Sequence, residues 1–302
     1  METPSTQTRG KHEPGTPTRA EDARAEDARA EDARAEDARA GERGAGPGSP
    51  GRLAVNDVRV AFGGIVALDG PSFEVQRGEI CGLIGPNGAG KTTLFNCVSG
   101  LYRPRSGSIS LGEVDVLALR PDQVAKAGIA RTFQNVGLFQ TQTVLENVMV
   151  GAIHRTRAGI TATALGLPLV AREERRERDK ARSILDGLGL APFEDRLAAG
   201  LPLGTLKRIE LARALMLEPR LLMLDEPANG LTHEEVEELA GVIGRLRDDH
   251  GFSVLLVEHH MGMVMSICDH VVVLNLGKKI ADGPPDAVRR NQDVIDAYLG
   301  SA

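Results

Sequence analysis

Gly85-Pro86-Asn87-Gly88-Ala89-Gly90-Lys91-Thr92 fits the pattern G-x-x-x-x-G-K-[ST]. Before it, Glu79-Ile80-Cys81-Gly82-Leu83-Ile84 predicts a short buried strand. After it, Thr93-Leu94-Phe95-Asn96-Cys97-Val98 predicts the start of a helix. That strand–loop–helix setting is the context the pattern requires, and it argues against a chance glycine-rich turn. Glycines let the backbone turn tightly and aim its N–H groups at phosphates, and the helix N-terminus adds partial positive charge at the same place. The stretch from Gly85 through Pro86, Asn87, Gly88, Ala89 and Gly90 to Lys91, Thr92 and Thr93 is therefore expected to cradle a nucleotide. Lys91 would neutralise its β- and γ-phosphates, and the Thr92 hydroxyl would ligate Mg²⁺.

The chain has 302 residues, enough for a full core in one or two domains. Its net charge of −6 argues against a surface that coats nucleic acid. It holds no apolar run of the ~18 residues a membrane span needs, and its first residues lack the apolar core of a signal peptide. Cys81, Cys97 and Cys268 are scattered through apolar stretches, which reads as reduced core thiols. Cys97 lies near the expected nucleotide, but an apolar setting makes packing its role.

Residues 1–51 read as a disordered, low-complexity tail in which Ala-Glu-Asp-Ala-Arg occurs four times in tandem from Ala20 to Arg39. Its 8 basic and 11 acidic residues give −3, half of the net charge. A transient helix is the alternative, but a repeat of five drifts around a 3.6-residue turn and makes no apolar stripe.

Residues 52–302 read as one alternating α/β domain with a mainly parallel sheet. Leu53–Phe62 and Pro71–Val75 predict strands on either side of a Gly63-Gly64 turn. Phe62 is a candidate to stack on the adenine, with a core aromatic as the plainer reading. Further strands are expected at Ser108–Leu111 and Ile129–Phe133, with a helix at Pro121–Lys126. Residues 143–199 read as a mostly helical insert, with Val144, Val148 and Gly151 on one face. Its mixed-charge run from Arg172 reads as a solvated face. Another helix opens at Leu201–Thr205. Leu221-Leu222-Met223-Leu224 is a continuous apolar run, the mark of a strand buried on both faces. It delivers Asp225-Glu226 to the end where ligands bind in open α/β sheets. Helix 233–249, strand 252–258, helix 260–268 and strand 271–276 complete the pattern. Glu258 and His260 read as solvated residues at a strand end.

The phosphate loop, Gln134, the Gly204 helix, Asp225-Glu226 and His259 occur in an order that resembles the ATP-binding-cassette ATPase family, from about Leu53 to the C-terminus. Three stretches resemble in particular the ATPase subunits of bacterial branched-chain amino-acid importers: Arg131-Thr132-Phe133-Gln134, Leu222 through Leu231, and Ala297-Tyr298-Leu299-Gly300. The resemblance implies a P-loop NTPase fold with an antiparallel β subdomain and the helical insert. Phosphoryl transfer to water needs neutralised charge, a held Mg²⁺ and an aligned nucleophile. Asp225 would help hold Mg²⁺, and Glu226 would orient and polarise the attacking water. By resemblance, Gln134 reaches Mg²⁺ and the water, and His259 contacts the γ-phosphate.

The implied partners are a second ATPase subunit, two transmembrane permease subunits and a periplasmic or lipid-anchored substrate-binding protein, with no nucleic acid. The implied place is the cytoplasmic face of the membrane, peripherally bound. Gly137-Leu138-Phe139 is the candidate contact for a short permease helix, with Phe139 as a core residue the alternative. Leucine, isoleucine and valine are the implied cargo; urea, amides or other amino acids are the alternatives.

One departure stands out. Leu201-Pro202-Leu203-Gly204-Thr205 occupies the place of the family signature Leu-Ser-Gly-Gly-Gln, which closes in trans on a partner's nucleotide. Pro202 has neither a hydroxyl nor a backbone N–H, so Gly204 and its helix end are what remain. The expectation is two unequal ATP sites, with Pro202 tolerated as a first-turn helix residue as the alternative. Thr232 likewise replaces the usual aspartate of the inter-subunit loop. A cassette ATPase acting on DNA or ribosomes is disfavoured, because only about 70 residues separate Gln134 from Gly204 and no basic patch stands out. A regulatory subunit with little hydrolysis is disfavoured by Glu226.

Overall fold

The structure, a computed structural model, describes residues 51–132, 137–152 and 168–299; side chains are described for all of these except 168–170 and 299. The expected tail, with its repeat, lies outside the described residues. So do Phe133, Gln134 and Gly300.

The chain opens with β1 (Leu53–Phe62), β2 (Ile65–Asp69), β3 (Phe73–Val75) and β4 (Ile80–Ile84), followed by helix α1 (Lys91–Val98). Then come β5 (Ser106–Leu111), β6 (Val114–Asp115), α2 (Pro121–Lys126) and β7 (Ile129–Arg131). The insert supplies α3 (Val144–Met149) and α4 (Pro168–Gly187). The second half runs α5 (Leu203–Leu215), β8 (Leu221–Asp225), α6 (His233–His250), β9 (Ser253–Val257), α7 (Met261–Ile267), β10 (His270–Asn275) and β11 (Lys278–Gly283), then α8 (Pro285–Arg289) and α9 (Gln292–Leu299).

These strands make two sheets. One is antiparallel, in the order β2-β1-β5-β6 with β3 also paired to β1. The other runs β11-β10-β4-β9-β8-β7, and every pairing in it is parallel except β10 with β11. Successive side chains of a strand point to opposite faces, and the core divides accordingly. Leu222, Leu224, Val254 and Leu256 pack with α5 and α6 residues such as Ile209, Leu239 and Ile243. Leu221, Met223, Leu255 and Val257 pack with Leu94, Phe95 and the antiparallel sheet. Every residue of β4, β8 and β9 is buried, which is why these strands read as unbroken apolar runs.

Register sets the strand ends level. Leu83 pairs with Val257, Val257 with Asp225, and Ile84 with Val273. The residues that follow, Gly85, Glu226 and Glu258, thus emerge together at the carboxyl edge of the sheet.

Three strands, β2, β6 and β11, lie outside the sequence expectations. β2 was missed because Ile65 and Val66 are exposed, so the Gly63-Gly64 turn leads into a strand without the expected alternation. β11 pairs as an antiparallel edge and carries Lys278 and Lys279. In the insert, Val144 and Val148 are buried as expected, and the run from Arg172 is mostly exposed until Ile184, Leu185 and Leu188 turn into the core. Thr143 caps α3 with Glu146 reciprocating, and Thr232 does the same for α6 with Glu235.

Candidate functional site

The loop between β4 and α1 is held in a conformation that glycine makes accessible. Gly85, Gly88 and Gly90 have φ of 149°, 79° and 101°. A Cβ on Gly85 would sit 2.1 Å from the Leu274 carbonyl oxygen, and one on Gly90 would sit 2.6 Å from that of Ala67. The β10–β11 turn clasps the loop from behind: Gly277 N–H donates to the Ala89 carbonyl at 3.0 Å, and Asp69 N–H to the Gly277 carbonyl at 2.9 Å. Ala89 is buried, while Asn87, Gly88 and Thr92 are exposed; Pro86, Gly90, Lys91 and Thr93 are half-buried. The Lys91 ammonium folds back over the loop, donating to the carbonyls of Gly85 (2.7 Å) and Pro86 (3.0 Å). Burial lowers its pKa, and the Glu226 carboxylate acts in the opposite sense.

Asp225 closes β8 and is buried. Burial pushes its carboxyl above the ordinary value, and Arg131 offsets part of that rise. Arg131 Nη2 donates to Asp225 Oδ2 at 2.9 Å, while Nη1 donates to Asn96 Oδ1 (2.7 Å) and Ser99 Oγ (2.9 Å). The guanidinium also lies over the Phe95 ring, 4.7 Å from its centroid. Arg131 therefore joins β7 to α1 and to Asp225. Arg131 enters the sequence analysis only in the expected strand Ile129–Phe133 and in a stretch of family resemblance. The signal that could have found it is an arginine flanked by Ala130 and Thr132 at the end of a buried strand, where a charge needs a partner.

Glu226 follows at φ 47°, a left-handed conformation that costs a residue with a side chain on the order of 1–3 kcal/mol. Its N–H donates to the Val257 carbonyl at 2.9 Å, and its carbonyl accepts from Asn229 N–H at 3.1 Å. His259 Nδ1 lies 3.9 Å from Glu226 Oε1, and the imidazole is 60% exposed.

The neighbours of His259 correct the sequence reading. Glu258 is not solvated: it is 1% exposed and accepts backbone hydrogen bonds from two loops. His260 is half-buried and caps α7, its Nδ1 accepting from Met263 N–H at 3.4 Å.

Phe62 is 48% exposed and meets Tyr102 edge-on, with ring centroids 5.3 Å apart. It is not a core residue, and its ring remains accessible. Gly204 lies in the first turn of α5, where a Cβ would come 3.0 Å from Glu235 Oε1. Pro202 stands at the N-cap rather than within the first turn, and no side-chain bond caps the helix. Burial raises the pKa of the Tyr298 phenol on α9, and the Gly85 backbone acts in the opposite sense, which sets this tyrosine of the C-terminal stretch near the phosphate loop. Lys91, Asp225, Glu226 and His259 are thus brought to one edge of the sheet. The structure describes no placement for Gln134.

A groove of about 620 Å³ lies beside the insert, lined by residues that include Arg131, Gly137, Phe139, Val150, Glu210 and Arg213. Phe139 is 51% exposed there, not core. Arg213 Nη1 donates to the Gly137 carbonyl at 2.6 Å, and Gly137 N–H reaches Glu210 Oε1 at 3.3 Å, so α5 holds this part of the groove wall.

A P-loop at the carboxyl edge of a parallel sheet, with an Asp-Glu pair and a histidine on the adjoining strand ends, defines a cassette-type ATPase. Residues 68–229 match the family described as ABC transporter, and residues 278–302 match the branched-chain amino acid ATP-binding cassette transporter family. This chain belongs to the ABC transporter family, as an ATPase coupled to transport. It is 43% identical over 250 residues to the high-affinity branched-chain amino acid transport ATP-binding protein BraF of Pseudomonas aeruginosa, covering 83% of this chain and 98% of that one. The LivG protein of Salmonella typhimurium matches with the same identity and coverage. A crystal structure of an ATP-binding cassette of an ABC transporter in its ADP conformation superposes with a TM-score of 0.73 at 31% identity, covering 83% of this chain and 99% of that one.

Proposed function

We propose that this chain is the ATP-hydrolysing subunit that powers an importer for branched-chain amino acids. The approach of His259 to Glu226 beside Lys91 and Asp225, at strand ends set level by register, carries the hydrolytic part of the reading. The cargo rests on relatives whose ATP-binding proteins serve branched-chain amino acid transport and which match over 98% of their length.

Lys91 turns its ammonium from the loop carbonyls to the terminal phosphates, and the glycine-shaped backbone supplies N–H donors around them. Glu226 takes the proton of the attacking water. His259, within reach of Glu226, contacts the γ-phosphate, and Phe62 offers its exposed face to the adenine. Gln134 joins the water side. A threonine hydroxyl and a carboxylate oxygen are hard donors, which suit an ion that binds through one or two protein oxygens plus substrate phosphates. Thr92 and Asp225 would hold Mg²⁺ in this way, where it neutralises phosphate charge.

The groove beside Phe139 is the proposed seat of a short permease helix. Among the described residues no helix is long and apolar enough to cross a membrane. We place the chain at the cytoplasmic face, working with two permease subunits, a second ATPase subunit and a substrate-binding protein. An α5 with Pro202 at its N-cap and no side-chain cap bond favours unequal ATP sites in that pair.

The test is uptake of labelled leucine by cells that lack this chain and are complemented with it. Uptake should return with the intact chain and stay absent with Glu226→Gln. Restored uptake of urea or another solute in place of leucine would replace the cargo, and uptake restored by Glu226→Gln would overturn the hydrolytic role.

A further inference from the structure

Glu258 lies one residue beyond β9, and its carboxylate is the meeting point of two loops. Oε1 accepts from Ala228 N–H at 2.8 Å; Oε2 accepts from His259 N–H at 2.9 Å and from His260 N–H at 3.0 Å. A carboxylate is acceptor-only and has lone pairs for all three bonds. With 1% of its surface exposed, Glu258 has little water to take their place.

Ala228 is two residues past Glu226, in the turn that holds Glu226 at φ 47°. A residue with a Cβ resists that conformation, and it persists only where surrounding bonds hold it. Within the turn, Asn229 N–H bonds the Glu226 carbonyl and Leu231 N–H bonds that of Ala228. Glu258 adds an anchor from outside the turn. The same turn reaches the start of α5, since a Cβ on Gly230 would lie 2.9 Å from Leu203 Cδ2.

We propose that Glu258 is a positioning residue for hydrolysis, tying the turn that carries Glu226 to the loop that carries His259 so that the two groups keep their spacing and move as one. The proposal rests on the reading of Glu226 and His259 as the hydrolytic pair. It gives a buried carboxylate, unused in the chemistry itself, the task of passing any displacement of His259 to the Glu226 turn and on to the start of α5.

The experiment uses the full-length chain purified in its transporter, with Glu258→Gln and Glu258→Ala. Glutamine keeps the volume but must turn an amide N–H toward one of the two loops, which breaks the tie on that side; should the alanine chain fail to fold, glutamine still tests the idea. Three quantities are read: kcat, KM for ATP, and amide hydrogen exchange at Ala228, His259 and His260. The expected result is a loss of about 10²-fold in kcat, the scale of a small misplacement of a reacting group. KM should stay near the unmodified value, and exchange at these amides should be faster. Unchanged kcat beside faster exchange overturns the positioning role, as does a rise in KM with kcat intact. Unchanged exchange overturns the tie itself. A parallel Glu226→Gln chain separates the two levels: if it hydrolyses ATP at the unmodified rate, the reading of the pair fails, whereas an inactive Glu226→Gln beside fully active Glu258 variants overturns only the inference about Glu258.

Discussion

Two turns in this molecule lead into helices, and they are held in opposite ways. Gly85–Gly90 enters α1 under restraint from all sides: three glycines at positive φ, the Lys91 ammonium folded across it, and the Gly277 turn behind it. Leu201-Pro202 enters α5 with no side-chain cap, no N–H at Pro202 and an exposed Leu203. The first turn is shaped by its own sheet to receive a ligand. The second presents a helix end without a side-chain cap, with Glu235 and the Gly230 turn close to its first residues. In the proposed pair of ATPase subunits both kinds of surface would be used, and the second is chemically the poorer one.

The largest expected effect comes from breaking the Arg131 link between α1, which the first turn enters, and Asp225. Arg131→Ala removes the partner of a buried carboxylate, and breaking such a pair costs ~3–5 kcal/mol, which should show as a lowered midpoint in denaturant unfolding of the full chain. The pH dependence has a definite sign. Burial already raises the folded-state pKa of Asp225, and Arg131 lowers it. Arg131→Ala should therefore raise it further, so that Asp225 loses its charge at a higher pH and the acid limb of the ATPase profile moves up. An acid limb that stays in place would show that Asp225 does not depend on Arg131.

Lys91→Ala acts on the ligand rather than the fold. Truncating one partner of a buried, hydrogen-bonded charge pair costs ~2–5 kcal/mol, so ATP affinity measured by equilibrium binding should fall accordingly while the unfolding midpoint changes little. On the other side of the comparison, Pro202→Ser restores a hydroxyl donor worth ~1.5–3 kcal/mol toward a charged acceptor. ATP turnover of the assembled pair should rise, and an unchanged rate would make the two helix ends functionally equal. The smallest effect is at Cys97. Burial pushes its thiol up to about 11, so it should resist alkylation at pH 8 in the folded chain and react only after unfolding.

The contrast also explains what the sequence makes legible. The phosphate loop and the strand ending in Asp225 can be read directly, because glycine spacing and an unbroken apolar run are local signals with a single structural meaning. Glu226 follows by adjacency. Glu258 and Arg131 are different: Glu258 accepts from Ala228, 30 positions away, and Arg131 pairs with Asp225, 94 positions away, and these distant contacts follow from register, which local sequence does not show. A charged residue at a strand end therefore looks solvated in the sequence, whereas Glu258 is buried. Strand β2 escaped because its first two residues face outward, and Pro202 moved from first turn to N-cap because a proline pattern leaves that boundary open by a residue.

The site on this chain's own phosphate loop is proposed to hydrolyse ATP, and the site closed by its Pro202 turn to be weak. The most direct test is steady-state ATP turnover of the assembled ATPase pair with Glu226→Gln in this chain alone. That change silences the first site and leaves the second to report by itself. Only a small fraction of the turnover should survive while ATP binding is retained. If half or more survives, the Pro202 turn supports hydrolysis as well as an intact signature does, and the claimed inequality between the two sites is wrong.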